Sequence, residues 1–319
     1  MRYYLGVDLG GTNIAAGICD ENKKIIRKTS RKTSLPAAPE KIASDIFLTA
    51  EDVLSLSSLS MSDIEWIGIG SPGDVDPETG EISFSNNLGF KNTPFAEIFR
   101  NLSGKQTFLE NDATAAAYGE AIAGAGVGYK NILTVTIGTG IGGGVIIGGK
   151  TYGRFSGADN EIGHMGINPN GRLCSCGIRG CAETYCSATG LIVTTKEYMK
   201  TDPNSKMWEL VGGDIDKTSA RTSFDAMRLG DETAKTVVDE YIRYLAYAVT
   251  SYINLFEPQI VIIGGGICNE GETLLKPLRD LVYPNIYVRH NPKKIPKIVK
   301  AALGNDAGII GAAMLGFNK

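Results

Sequence analysis

Two stretches of this chain carry the same unit: strand, glycine turn, strand, second turn, strand. In the first, Tyr3 to Val7 reads as a buried strand and Asp8-Leu9-Gly10-Gly11-Thr12 as a tight turn. Asn13 to Cys19 is a second strand, Asp20-Glu21-Asn22 another turn, and Lys24 to Lys32 a third strand. In the second, Ile132 to Ile137 is apolar and β-rich, and Gly138-Thr139-Gly140 turns. Ile141 to Ile147 returns, Gly148-Gly149 turns again, and Thr151 starts a third strand. Apolar, β-branched runs bounded by such clusters form β-meanders. A unit that occurs twice predicts an internal duplication and two similar domains. Glycine, at 40 of 319 residues, is clustered at the ends of these runs and is not low complexity.

Helical patterns lie between the meanders. Pro39 to Leu59 carries an apolar stripe of Ile42, Ile46, Phe47, Ala50, Val53 and Leu54. Asp112 to Gly126 is Ala-rich with an acidic start, which suits a helix N-terminus. Glu232 to Phe256 is long and amphipathic. Ile260 to Ile263 reads as a short buried strand ending in Gly264-Gly265-Gly266, and Asp306 to Leu315 as a small-residue helix. A parallel βαβ component therefore accompanies the meanders. No Pro/Ser-rich linker separates the halves, so the domains are expected to meet along a cleft, where ligands prefer to bind.

Composition narrows the partners. Hydrophobic residues make up 43% and charged residues 21%, ordinary for a globular protein. A net charge of −3 advertises no nucleic-acid surface. The run Arg27-Lys28-Thr29-Ser30-Arg31-Lys32 reads as a solvated strand face, and His290, among Lys293, Lys294 and Lys297, as a solvated loop. No signal-peptide pattern opens the chain and no apolar run approaches a membrane span. A cytoplasmic protein with reduced thiols is expected, so the sequon at Asn101 carries no weight.

One short run holds three of the six cysteines and one of the two histidines: His164, Cys174, Cys176 and Cys181, with Glu183 following. Cys3His is a usual structural zinc set. Disulfides are the alternative, with Cys186 as a possible fourth partner, but a Cys-x-Cys pair closes a small, strained ring. Cys19 and Cys268 read as unligated. Trp66 reads as core, and Tyr241, Tyr244, Tyr247 and Tyr252 as packing or subunit-contact residues of one helix.

The two glycine turns read as phosphate loops. Gly10 and Gly11 let backbone amides approach a phosphate, and Thr12 adds a hydroxyl. Asp8, at the strand end, is placed to hold a water on Mg2+. Gly138-Thr139-Gly140 repeats the device, so the pair points to one nucleotide. Gly265, in the third glycine cluster, could let backbone lie against an adenosine.

These residues resemble the ROK family, the repressor, open-reading-frame and kinase group of the actin-like ATPase fold. The resemblance spans essentially the whole chain. Its markers are Asp8-Leu-Gly-Gly-Thr12, Gly70-Ser-Pro-Gly73-Asp-Val-Asp76, Asn86-Asn87-Leu88, Glu110-Asn-Asp112-Ala, Ile137-Gly-Thr-Gly-Ile-Gly-Gly-Gly144, Glu161-Ile-Gly-His164 and the Cys-x-Cys-Gly-x-x-Gly-Cys-x-Glu run. The last is the most specific and is similar to that of bacterial ROK glucokinases.

The resemblance implies a duplicated α/β fold of actin-like (ribonuclease H-like) type with two domains and a central cleft. The division expected is 1–112 plus 305–319 for a small domain and 113–304 for a large domain carrying the zinc site. It implies ATP-dependent phosphorylation of glucose at the 6-hydroxyl, with ATP, Mg2+ and a structural Zn2+. Asp112 corresponds to the general base, although on its own it reads as a helix N-cap. Gly73, Asn87, Asn111, Asp112, Glu161, His164 and Glu183 correspond to sugar contacts. Asp8, Gly10, Gly11, Thr12, Asn13, Gly138, Thr139, Gly140 and Gly265 correspond to the nucleotide and Mg2+ site. Zinc would sit on His164, Cys174, Cys176 and Cys181 and brace the sugar-binding segment. His164 would serve twice, with one ring nitrogen on the metal and the other on a sugar oxygen.

A kinase for N-acetylmannosamine, N-acetylglucosamine, fructose or mannose is the alternative. A sugar-binding repressor of the same family is more remote, because those carry a DNA-binding module before the first phosphate loop and Asp8 stands almost at the start here. A zinc-stabilised binding protein without catalysis would not need Asp112 and both turns. The family is mostly dimeric or tetrameric, so a homodimer or homotetramer is expected, with no nucleic-acid or membrane partner.

Overall fold

The run Tyr4 to Val7 is buried on both faces and forms the middle of β1 (Tyr3–Leu9). In the computed structural model, which describes residues 1–152 and 160–318, β1 is the centre of a five-stranded sheet. On one side lie β2 (Asn13–Asp20) and β3 (Ile25–Lys32), each antiparallel to its neighbour, as the first meander predicts. On the other lie β4 (Ile64–Ser71) and β8 (Thr107–Asn111), both parallel, giving the order β3-β2-β1-β4-β8. Helix α1 (Pro39–Ser55) buries Ile42, Ile46, Ala50, Val53 and Leu54 of its predicted stripe in the core of this unit, with Phe47 only half-buried against it. It ends short of Leu59, because the chain turns at Ser58, whose φ is 54°. A small sheet of β5 (Asp74–Asp76), β6 (Glu81–Ser85) and β7 (Phe90–Thr93) follows β4. These strands are too short for periodicity to reveal. Helix α2 (Phe95–Ser103) precedes β8, and α3 (Asp112–Ala123) leaves it directly.

The second meander gives β9 (Ile132–Ile137), β10 (Ile141–Ile147) and β11 (Lys150–Thr151). Helices α4 (Glu183–Cys186), α5 (Ala188–Thr201), α6 (Lys206–Leu210), α7 (Thr222–Arg228) and α8 (Glu232–Phe256) come next. They are followed by β12 (Ile260–Gly265), α9 (Glu272–Val282), β13 (Lys297–Lys300) and α10 (Ala307–Ala313). The second sheet has the order β11-β10-β9-β12-β13. It repeats that of the first: meander, then two further strands. The duplicated α/β fold is therefore present.

The described residues form two compact units. One takes in 1–134, 144–152, 160 and 302–318; the other takes in 135–143 and 161–301. In the first, α10 packs on α3, β1 and β4, and the Trp66 ring lies 4.3 Å from Tyr4, with its Nε1 donating to the Ala313 carbonyl at 2.9 Å. In the second, α8 packs on α5, α7 and α9. Tyr241 and Tyr252 of α8 are buried and donate to the carbonyls of Cys186 and Ile162, so they pack the unit. Tyr247 is exposed. No helix among the described residues is long and apolar enough to cross a membrane.

Candidate active site

In the first unit, three parallel strands end side by side, with Asp8 paired to Gly70, Gly70 to Glu110 and Ser71 to Asn111. Ligands of α/β sheets bind at such carboxyl ends. The helix that leaves β8 is capped by Asn111. Its Oδ1 accepts from the backbone N–H groups of Ala113 (2.8 Å) and Thr114 (3.1 Å). The reading of Asp112 as the plain cap is thus corrected: the residue before it takes that place, and the Asp112 carboxylate accepts from the Ala113 N–H at 2.8 Å. Burial raises the Asp112 pKa above the usual carboxylate value, with that N–H pulling the other way. Asp8 is pushed up to about 6, first by burial and then by the Asp112 charge. Two half-buried carboxylates beside each other form a ready cation or proton site.

The first glycine turn joins Leu9 to Asn13. Its carbonyls are held from behind: Gly10 O accepts the Thr33 hydroxyl at 2.7 Å and Thr12 O the Thr33 N–H at 2.9 Å. Gly10 N–H closes the turn on Asn13 O at 2.9 Å. The Gly11 and Thr12 N–H groups have no partner among the described residues, and both residues are exposed. Backbone N–H groups so presented make an anion site. Asn87, also exposed, stands near this turn, its Cβ 3.9 Å from where a Gly11 Cβ would be. Gly73 lies before β5, and its carbonyl accepts from Asn111 Nδ2 at 3.1 Å.

The second unit repeats the turn between β9 and β10. Gly138 O accepts from the Ala188 N–H at 2.9 Å, Thr139 O from the Thr189 hydroxyl at 2.7 Å, and Gly140 O from the Gly138 N–H at 3.0 Å. The Thr139 and Gly140 N–H groups have no partner among the described residues. Glu183 lies against this turn: its Oε2 accepts from Ile141 N–H at 2.9 Å. A Cβ on Gly140 would be 2.3 Å from that oxygen, so glycine at 140 makes room for a carboxylate. Gly265, with φ 87°, has its missing Cβ 2.1 Å from Ile137 O, so it packs the end of β12 on β9. Cys268 donates to the Gly265 carbonyl at 2.8 Å.

His164, Cys174, Cys176 and Cys181 converge, with their ligand atoms all within 4.8 Å of one another. Cys174 Sγ is 3.6 Å from His164 Nδ1, and Cys176 Sγ is 3.6 Å from Cys181 Sγ. A tetrahedron with Zn–S near 2.3 Å has edges of about 3.8 Å, whereas a disulfide needs ~2.0 Å. All six cysteines are free thiols, and Cys186, buried in α4, is outside the group. The donors and spacing therefore fit Zn2+. The loop is a short hairpin, closed by Cys174 N–H to Ile178 O at 2.8 Å and Gly177 N–H to Cys174 O at 2.9 Å. Burial pushes the Cys181 thiol up to about 12, while the Ile178 backbone N–H holds exposed Cys176 below its usual value. His164 Nε2 stays off the cluster, 3.9 Å from Glu161 Oε2. Arg172 ties the hairpin to α5 through Thr194 Oγ1 at 3.0 Å and Glu197 at 2.5 Å.

Within the first unit, therefore, Asp8, Asn111 and Asp112 gather at adjacent strand ends. Within the second, Glu183 bridges the hairpin and the glycine turn, its Oε1 3.9 Å from Cys174 Sγ. Thr33 and Thr189 went unnoticed in the sequence, where a lone threonine after a strand or at the start of a helix carries no signal.

A model of the ROK family matches residues 4–318. A glucokinase of Thermotoga maritima is 40% identical over 312 residues, 98% of this chain and 96% of that protein. A glucokinase of Streptomyces coelicolor is 34% identical over 317 residues, 99% and 98% of the two chains. The solved structure of a ROK family glucokinase from Streptomyces griseus, in complex with glucose and AMPPNP, matches with a TM-score of 0.82 at 34% identity, covering 98% of each chain. The duplicated sheets are thus those of the actin-like ATPase fold.

Proposed function

The chain belongs to the ROK family, and we propose that it is a glucokinase, transferring the γ-phosphoryl group of ATP to the 6-hydroxyl of glucose. The observation that carries the assignment of roles is Asp112. It is released from capping by Asn111, raised by burial, and seated beside Asp8. In the reaction, the glucose O6 forms a bond to the γ-phosphorus as the bond to the β–γ bridging oxygen breaks, and Asp112 accepts the O6 proton. A raised pKa makes Asp112 the stronger base for that proton.

The remaining roles divide by unit. Gly11, Thr12, Thr139 and Gly140 offer N–H groups to the phosphates, with Gly10, Asn13 and Gly138 shaping the turns and Gly265 supporting the second one. Asp8 would hold Mg2+ through water, and that ion would neutralise phosphate charge. Glu161, His164 Nε2 and Glu183 would bind ring hydroxyls, together with Gly73, Asn87 and the Asn111 amide N–H not given to Gly73. His164 Nδ1 and the three thiolates would hold Zn2+. With four protein ligands and no open position, that ion would supply rigidity rather than reactivity.

A coupled assay with ATP across glucose, mannose, fructose, N-acetylglucosamine and N-acetylmannosamine tests the reading. Glucose should give the highest kcat/KM. A clear preference for an N-acetylated hexose would replace the substrate, and no glucose-dependent ATP turnover would overturn the function.

A further inference from the structure

We propose that Thr33 and Thr189 are paired positioning residues that set the two glycine turns for phosphate, one in each unit; this rests on the kinase reading above. The two contacts are the same in chemistry. In the first unit, Thr33 supplies both a hydroxyl to Gly10 O (2.7 Å) and a backbone N–H to Thr12 O (2.9 Å). In the second, the Thr189 hydroxyl goes to Thr139 O (2.7 Å) and the neighbouring Ala188 N–H to Gly138 O (2.9 Å). Each turn is thus gripped on its carbonyl side by one threonine hydroxyl and one backbone N–H.

The consequence lies on the opposite side of the turn. Peptide N–H and C=O point opposite ways, so fixing the carbonyls behind a turn fixes the amides in front. Those are the N–H of Gly11, on the same peptide as the Gly10 carbonyl, and the N–H groups of Thr139 and Gly140, on the peptides of the Gly138 and Thr139 carbonyls; none of the three has a partner among the described residues. A preset ring of donors loses less freedom on binding an anion than a floppy one. The duplication extends to this device although its sources differ. Thr33 follows the last strand of the first meander, whereas Thr189 is the second residue of α5, whose first N–H, that of Ala188, is an orphan donor that the turn satisfies. Thr189 also lies on the segment that carries Glu183, so the residues assigned to sugar and the second phosphate turn share one support.

The variants Thr33→Val and Thr189→Val keep side-chain shape and remove the hydroxyl, and Thr33→Ser and Thr189→Ser restore it. Mg–ADP binding by calorimetry and KM for ATP and glucose should be measured on all four, with melting temperature. One neutral hydrogen bond corresponds to roughly a fivefold effect. Each valine variant should therefore weaken Mg–ADP and raise KM for ATP about fivefold, with KM for glucose within about twofold, and serine should restore the parent values. The double valine variant should show about the product of the two effects, because the two hydroxyls share no partner. Unchanged nucleotide affinity, an equal rise in both KM values, or failure of serine to rescue would overturn the inference. A parent enzyme that binds Mg–ADP but does not phosphorylate glucose would overturn the glucokinase reading instead, while the binding series would still decide this one.

Discussion

The Asn111 side chain donates to the Gly73 carbonyl at 3.1 Å while its oxygen caps α3. One amide thereby joins the start of the small sheet to the helix that begins with Asp112. Asn111→Ala should lose the cap, at about 1 kcal/mol of stability, and also let Asp112 drift, lowering kcat. Asn111→Asp keeps an acceptor for the helix but loses the donor to Gly73 and adds charge beside Asp112. It should melt close to the parent yet turn over more slowly. Melting curves and kcat for the two variants separate cap from position, and equal loss of both properties in both variants would contradict the division.

Asp112→Asn should fold, bind glucose, and lose on the order of 10²–10⁴ in kcat. Turnover within a few-fold of the parent would remove Asp112 from the base role. The same variant should bring the Asp8 pKa down from about 6, though only in part, because burial is the larger cause.

The raised carboxylates give activity and stability opposite pH trends. Asp112 and Asp8 act as anions, so kcat/KM should fall as pH drops through about 6, where Asp8 takes up its proton. For stability, a folded pKa above the ordinary 3.8 means that the protonated form is the one folding favours. Asp8 therefore contributes stability that is fully present below its ordinary value and is lost as pH rises through about 6. Asp8→Asn should raise stability at pH 7.5 by up to about 3 kcal/mol while abolishing most activity. Denaturant melts of parent and variant at pH 4 and 7.5 check this, and an equal difference at both pH values would exclude Asp8 as its source.

Gly140→Ala tests why that glycine is there. Its Cβ would stand 2.3 Å from Glu183 Oε2, the mobile end of a side chain, so the protein should fold with Glu183 displaced. Losing a charge-assisted contact to a sugar hydroxyl should raise KM for glucose roughly tenfold. If KM for ATP rises and that for glucose does not, the glycine serves the phosphate alone.

The strands of both meanders were legible because apolar runs and glycine turns are local signals. β9 and β10 run over the predicted residues, and β1 and β2 run one or two residues beyond. The Cys3His group was legible because its ligand types are rare and close in sequence. What could not be read was set by long-range partners. Whether Asn111 or Asp112 capped α3 depended on backbone geometry where β8 ends. The reason for glycine at 140 lay in Glu183, on a different element, and Thr33 and Thr189 act through carbonyls that no side-chain pattern reports. Family resemblance named the site residues, but the contacts that hold them belong to the packing.

The hairpin of Cys174, Cys176 and Cys181 closes on His164, and Glu183 follows it by two residues. Removing one thiolate should thus loosen a segment that carries proposed sugar contacts at both ends, Glu161 and Glu183. Cys176 is the exposed ligand, so Cys176→Ser disturbs packing least and isolates the effect of the metal. The variant should contain little zinc and show a raised KM for glucose. The second glycine turn is held to the same segment through Ala188 and Thr189, so nucleotide binding should weaken too, but later and less: Ser187 caps α5 independently, accepting from Gly190 N–H at 2.9 Å. Zinc analysis of the parent should give about one equivalent per chain. Full activity with less than about half an equivalent would sink the structural-zinc reading. A variant that loses ATP affinity before glucose affinity would place the metal's influence on the phosphate turn first.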